Sequence, residues 1–255
     1  MPKWSETEQR LRIELAACFR LIAHFRMTDL IYTHATLRLP GAERSFLINP
    51  YGLMFDEIRA SDLLKIRPDG SLIDGGPGLV NLAGFVIHGA IHAAREDAHC
   101  VVHTHTRSGC AVAAQREGLL PVNQISLEFY NKVAYHDYEG IAYDFEEQQR
   151  LVRDVGDKPV VILRNHGLLT LGATVSQAFL RMYYLDKACD LQLAAQAGGQ
   201  SLLLPSVEVC ERTERQFSAP PPAPNAQLVS DPDGIDLCWQ ALLRLLDRID
   251  PAYRD

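Results

Sequence analysis

Apolar positions near the start of the chain recur at Leu11, Leu15, Cys18, Phe19, Ile22 and Phe25. That is the spacing of a helix with one buried face, and Ser5 with Glu8 forms the capping box that opens it. The period then shortens. Ala35 to Leu39 and Phe46 to Ile48 read as strands joined through the turn residues Pro40 and Gly41, and Leu64 to Ile66 as a strand entering the turn Pro68-Asp69-Gly70. A helix follows from about Ala83 to Arg95, with Val86, Ala90 and Ala94 in one row and Ile87 and Ile91 beside it. Cys100 to His103 reads as a buried strand, Ser108 to Gln115 as a short helix, and Val133 to Tyr135 and Val160 to Leu163 as further strands. Gly167 to Thr170 completes a strand–turn–strand around Asn165-His166-Gly167. Asp144 with Glu147 caps a helix over Gln148 to Val155, and Thr174 with Gln177 opens the longest helix, which runs to Gly198.

These elements predict one α/β domain with a mixed sheet and packed helices from about residue 5 to 200. Residues 201–255 read as a separate tail. In it Leu202 to Gln216 carries no clear period, and Phe217 to Asp233, with Pro220, Pro221, Pro222 and Pro224, reads as a linker. Ile235 to Leu246 reads as a terminal helix that docks on this subunit or a neighbouring one.

Composition narrows the class. The chain has 255 residues, 47% of them hydrophobic and 22% charged, enough to bury a real core. A net charge of -7 with no basic block argues against nucleic acid or an anionic membrane as partner. No apolar run approaches the roughly 18 residues of a membrane span, and the N-terminus lacks a signal-peptide pattern. The six cysteines are scattered without CxxC spacing, as expected of reduced, mostly buried thiols in a cytoplasmic protein.

The strongest chemical signal is His103-Thr104-His105 at the end of an apolar strand. Strand side chains alternate, so both imidazoles face one way and can share a metal ion. Taken alone, the pair also fits ordinary core or surface histidines. His166 ends a second apolar strand, and Gly167 permits the sharp turn that could aim it at the same point. Three histidines leave a coordination position open, which is the catalytic arrangement.

The order of these motifs resembles the class II aldolase/adducin family. The resemblance rests on Tyr32-Thr33-His34-Ala35-Thr36-Leu37-Arg38, Ile48-Asn49-Pro50-Tyr51-Gly52, Phe85-Val86-Ile87-His88, Val102-His103-Thr104-His105-Thr106 and Arg164-Asn165-His166-Gly167. It spans roughly residues 7 to 197 and implies a single mixed α/β domain. It also implies His103, His105 and His166 as ligands of zinc, with iron(II) or manganese(II) as alternatives, and a homotetramer acting on a small-molecule substrate. In that family the metal is a Lewis acid that stabilises the enediolate developing as a C–C bond breaks or forms.

Two departures qualify the transfer. The acid/base Glu of the sugar-phosphate aldolases falls at Gly84, in Leu82-Ala83-Gly84, and their phosphate-binding serines and Asn are missing. The resemblance is therefore to the adducin-like branch. The expected activity is that of an aldolase or decarboxylase for a small non-phosphorylated hydroxy or keto acid or aldehyde. A non-haem iron(II) oxygenase or a non-catalytic adducin-like assembly domain are the alternatives. Glu128, between Leu127 and Phe129, and His136, beside Asp137, are the candidates for proton transfer, each set against a solvated or turn-forming role. His88 and His92 share a helix face and read as structural hydrogen-bonding residues, with a second metal pair as the alternative. Tyr183 and Tyr184 read as packing residues.

Overall fold

The structure is a computed structural model that describes residues 4–41, 44–74, 78–141, 146–220, 222, 225 and 234–255. Among the described residues, eight strands form one sheet: β1 His34–Arg38, β2 Phe46–Ile48, β3 Leu64–Ile66, β4 Leu72–Asp74, β5 Cys100–Thr104, β6 Val133–His136, β7 Val160–Leu163 and β8 Gly167–Gly172. Their order is β4-β3-β2-β1-β5-β8-β7-β6. Only β6 and β7 run parallel; every other neighbouring pair is antiparallel, so the sheet is mixed as predicted.

The helices are α1 Glu6–His24, α2 Leu82–Ala94, α3 Arg107–Ala113, α4 Gln124–Leu127, α5 Glu147–Val155, α6 Val175–Gln196, α7 Val207–Ser218 and α8 Gly234–Ile249. Strand alternation divides the core into two layers. Ala35, Leu37, Cys100, Val102, Val160, Ile162 and Leu168 face one side, where α1, α6 and α8 pack. Val101, Val161, Leu163, Leu169 and Leu171 face the other, against Ile87 and Ile91 of α2 and Leu151 and Val155 of α5.

The same alternation turns the polar positions of β1 toward α2. Thr36 Oγ1 lies 2.7 Å from both His88 Nδ1 and His92 Nε2. Arg38 bonds the carbonyls of His92, Arg95 (3.1 Å) and Glu96 (3.2 Å), pairing backbone acceptors that the end of α2 leaves open. His88 and His92 therefore tie α2 to the sheet.

Most element boundaries fall within two residues of the sequence expectation. Two helices were not anticipated: α4, built on the capping box of Asn123 and Ser126, and α7, opened by Ser206. The predicted cap Asp144 and most of the linker expected over residues 217–233 lie outside the described residues. The terminal helix spans Gly234–Ile249, and Trp239, Leu246 and Tyr253 are buried in the same core layer as α1 and α6. Among the described residues, no helix is long and apolar enough to cross a membrane.

Candidate metal centre

Neighbouring strands bring the three histidines together. His103 lies near the end of β5 and His105 one residue past it. β8 pairs with β5 through Thr104↔Leu168 and His103↔Leu169, so the turn entering β8 sits beside His105. Asn165 takes φ 55°, a left-handed conformation that Asn tolerates better than most residues, and its N–H bonds Ala113 O at 3.1 Å. A Cβ at Gly167 would stand 2.5 Å from Thr104 O and 3.1 Å from His105 Cδ2. Only glycine lets β8 start this close to the paired histidines.

His103 Nε2 lies 3.0 Å from His105 Nε2, which lies 2.9 Å from His166 Nε2. The outer nitrogens set the tautomers. His103 Nδ1 is 2.8 Å from Leu168 O and His105 Nδ1 is 3.0 Å from Asp29 Oδ2. A carbonyl and a carboxylate can only accept, so both Nδ1 atoms carry a proton and each Nε2 is the ring atom left to offer a lone pair to a ligand. Burial, with the neighbouring imidazoles adding to it, holds His103 well below the usual histidine range, and burial holds His166 down to about 4. The donor set therefore fits a divalent ion, which neutral imidazoles bind.

Asp29 was not identified from sequence. It precedes the Thr33-His34 motif in an irregular loop, and no spacing rule connects it with His105. His34 was visible in the motif, but not its position: its ring lies against Gly84 and near His103, with centroids 5.5 Å apart.

The two proton-transfer candidates separate. His136 ends β6, paired with Leu163, on the same end of the sheet as His166. It is buried, 2.8 Å from Asp154 Oδ2 and 3.5 Å from Glu147 Oε1, and shares a recess with Tyr138, Arg164 and His166. Glu128 lies elsewhere in the chain. It lines a cavity of about 620 Å³ with Lys132, Arg181 and Tyr184, and with Pro159 and Val160 at the far end of β7 from His166. The two sites are kept apart by the length of the strand. Tyr183 packs edge-on against Phe25 and Tyr184, as a packing residue would.

The profile of the Class II Aldolase and Adducin N-terminal domain matches residues 13–193. The chain belongs to this family. An aldolase II superfamily protein from Pseudomonas syringae superposes with a TM-score of 0.90 at 49% identity, over 99% of this chain and 98% of that one. An L-fuculose 1-phosphate aldolase from Glaciozyma antarctica gives a TM-score of 0.82 at 29% identity, over 100% and 97%. Alpha-adducin of Rattus norvegicus is 39% identical over 98% of this chain, which spans 34% of that protein's length. Membership supports an aldolase-type lyase in general terms, and both branches named in the family description are represented among these relatives.

Proposed function

We propose that this family member is a metal-dependent carbon–carbon lyase, an aldolase or decarboxylase, acting on a small non-phosphorylated hydroxy or keto acid or aldehyde. His103, His105 and His166 hold the divalent ion, with zinc as the first choice. The observation that carries the reading is the convergence of three imidazole nitrogens, with His103 Nε2 3.0 Å and His166 Nε2 2.9 Å from His105 Nε2. A bound divalent ion would polarise a substrate oxygen and stabilise negative charge developing there.

The chain's own residues do the rest. Leu168 O and the Asp29 carboxylate hold two of the rings in register, and burial keeps His103 and His166 unprotonated. Gly84 provides no acid or base at the first turn of α2. A decarboxylation suits such a site, because the electron pair left by CO2 passes to the substrate's carbonyl oxygen and no carbon-bound proton must first be removed. A retro-aldol cleavage asks only for removal of a hydroxyl proton. For a later proton transfer, the recess shared with His166 favours His136 over Glu128. A cytoplasmic homo-oligomer is part of the same proposal, resting on the family resemblance.

The test is elemental analysis of protein purified without added metal, beside a His103→Ala variant. About one zinc per chain, lost in the variant, is expected. Iron together with substrate-dependent oxygen uptake would replace the lyase by an oxygenase. No metal in the unaltered protein, even after reconstitution, would overturn the proposal and leave an assembly domain.

A further inference from the structure

The cavity of about 620 Å³ lies away from the three-histidine cluster, where the C-terminal helices meet the sheet. α4 packs on α6 and α7, and α6 packs on α8. Side chains of all four helices line the space left among them, which reaches Pro159 and Val160 at the start of β7. Its volume is within the range of small-molecule sites, about 300–1,000 Å³, and such sites form where packed units join. Much of the wall is apolar: Ile125, Phe129, Leu180, Phe217 and Ile235 line it, and Phe129 and Leu180 are buried.

Three charged side chains share that wall, Glu128, Lys132 and Arg181. Lys132 Nζ is 3.0 Å from Glu214 Oε1 on α7, so its charge is matched. Arg181 differs. Its Nη1 donates to Leu171 O, which ties α6 to β8 and occupies one end of the guanidinium fork. Burial pushes its pKa down from the ordinary arginine value, and Glu128 and Asp97 oppose that from a distance. Asp97 is itself held by Arg95, whose Nε and Nη2 lie 2.8 Å and 2.7 Å from its two carboxylate oxygens. Among the described residues, no carboxylate forms an ion pair with Arg181. A half-buried guanidinium with donors to spare, set in an apolar wall, matches an ionised carboxylate in both charge and shape.

We propose that this cavity binds a small amphipathic monocarboxylate, its carboxylate on the Arg181 guanidinium and its apolar body against Ile125, Phe129, Leu180 and Ile235. Glu128 lines the same space, so a second negative charge on the ligand would meet a carboxylate. That disfavours a phosphate monoester. A cationic amphiphile would meet Arg181 as a like charge. The site is separate from the three-histidine cluster: β8 runs from Gly167, beside the cluster, to Gly172, and Leu171 O lies at its far end. The inference therefore does not depend on the lyase reading.

The test titrates the full chain, metal-free and zinc-loaded, with octanoate, butanoate, octyl phosphate and octylamine. Calorimetry is expected to show saturable binding of octanoate, at least about tenfold tighter than butanoate, since each buried methylene contributes roughly a fourfold factor. Octyl phosphate is expected to bind more weakly than octanoate, and octylamine not at all. Octanoate should bind equally well with and without zinc. Binding to the zinc-loaded protein alone would put the carboxylate on the metal and overturn the proposal. In Arg181→Gln the affinity for octanoate is expected to fall at least about tenfold. Because Arg181 also holds Leu171 O, methyl NMR of the unaltered protein gives a readout that does not depend on the variant's folding. Octanoate is expected to shift the methyl signals of Ile125, Leu180 and Ile235. Shifts confined to other methyls, tighter binding of octylamine or octyl phosphate, or no binding of octanoate at millimolar concentration would each overturn the site.

Discussion

The contact between His105 Nδ1 and Asp29 Oδ2, at 3.0 Å, fixes one ring of the cluster from outside. Carboxylates in this position orient a ligating imidazole and raise its basicity, and their loss typically costs 10–100-fold in metal affinity. Asp29→Ala is expected to weaken zinc binding by roughly that factor without abolishing it, measured by competition with a chromophoric chelator. Acid should act on the buried histidines of the metal-free protein. Burial holds His34 and His92 to about 3 and His166 to about 4, against an ordinary value of 6.5. The unfolded chain therefore binds more protons than the folded one below pH 6.5. Stability is full above that value and falls as the pH drops toward the folded values, by about 1.4 kcal/mol per pH unit for each such ring. Thermal melts of metal-free protein should be flat, as far as these rings are concerned, down to pH 6.5 and decline below it; a Tm that rises on acidification would contradict the assignment.

At the scale of elements, close backbone approach matters more than composition. Gly167 lets β8 begin against Thr104 O, and the 2.5 Å that a Cβ would leave cannot be relieved by rotating a side chain. Gly167→Ala is expected to cost about 1–3 kcal/mol and to lower zinc content, read as a depressed Tm and a reduced metal-to-protein ratio. The loop before β1 is unusual in another way. Arg26, Leu30 and Thr33 all have positive φ, and Thr33, at 69°, is β-branched. Strain of this kind persists where surrounding structure over-determines it, and this loop delivers Asp29 to His105 and His34 to the β1 face above Gly84. The apolar period of β5, β7 and β8 made those strands legible, and Ser5, Thr174 and Asn81 accept backbone N–H groups as helix caps. The helix α4 was not legible because it is only four residues long, held by local hydrogen bonds of Asn123 and not by a repeating apolar face.

For the whole molecule, the C-terminal segment is part of the packed unit. Ala60 N bonds Tyr253 O at 3.0 Å and Ser61 N bonds Asp255 O at 2.8 Å, while Trp239 lies against Phe179 with centroids 5.9 Å apart. Trp239→Ala is expected to destabilise the protein by about 3–5 kcal/mol, seen as a single lowered transition in chemical denaturation. A separate early transition would instead mean that α8 unfolds by itself. The sequence alone determined the mixed α/β class, the shared face of His103 and His105 and the absence of a carboxylate at position 84, because strand alternation, turn chemistry and residue identity are local properties; that His166 joins the pair was legible only through the resemblance of its motif to the family's. Only the tertiary structure decided that His136 shares a recess with His166 and Glu128 does not, that Asp29 holds His105, and that His34 occupies the space above Gly84. Each of these depends on which strands become neighbours and at which end of the sheet a side chain emerges, and pairing register between residues tens of positions apart is not written in any one stretch of the chain.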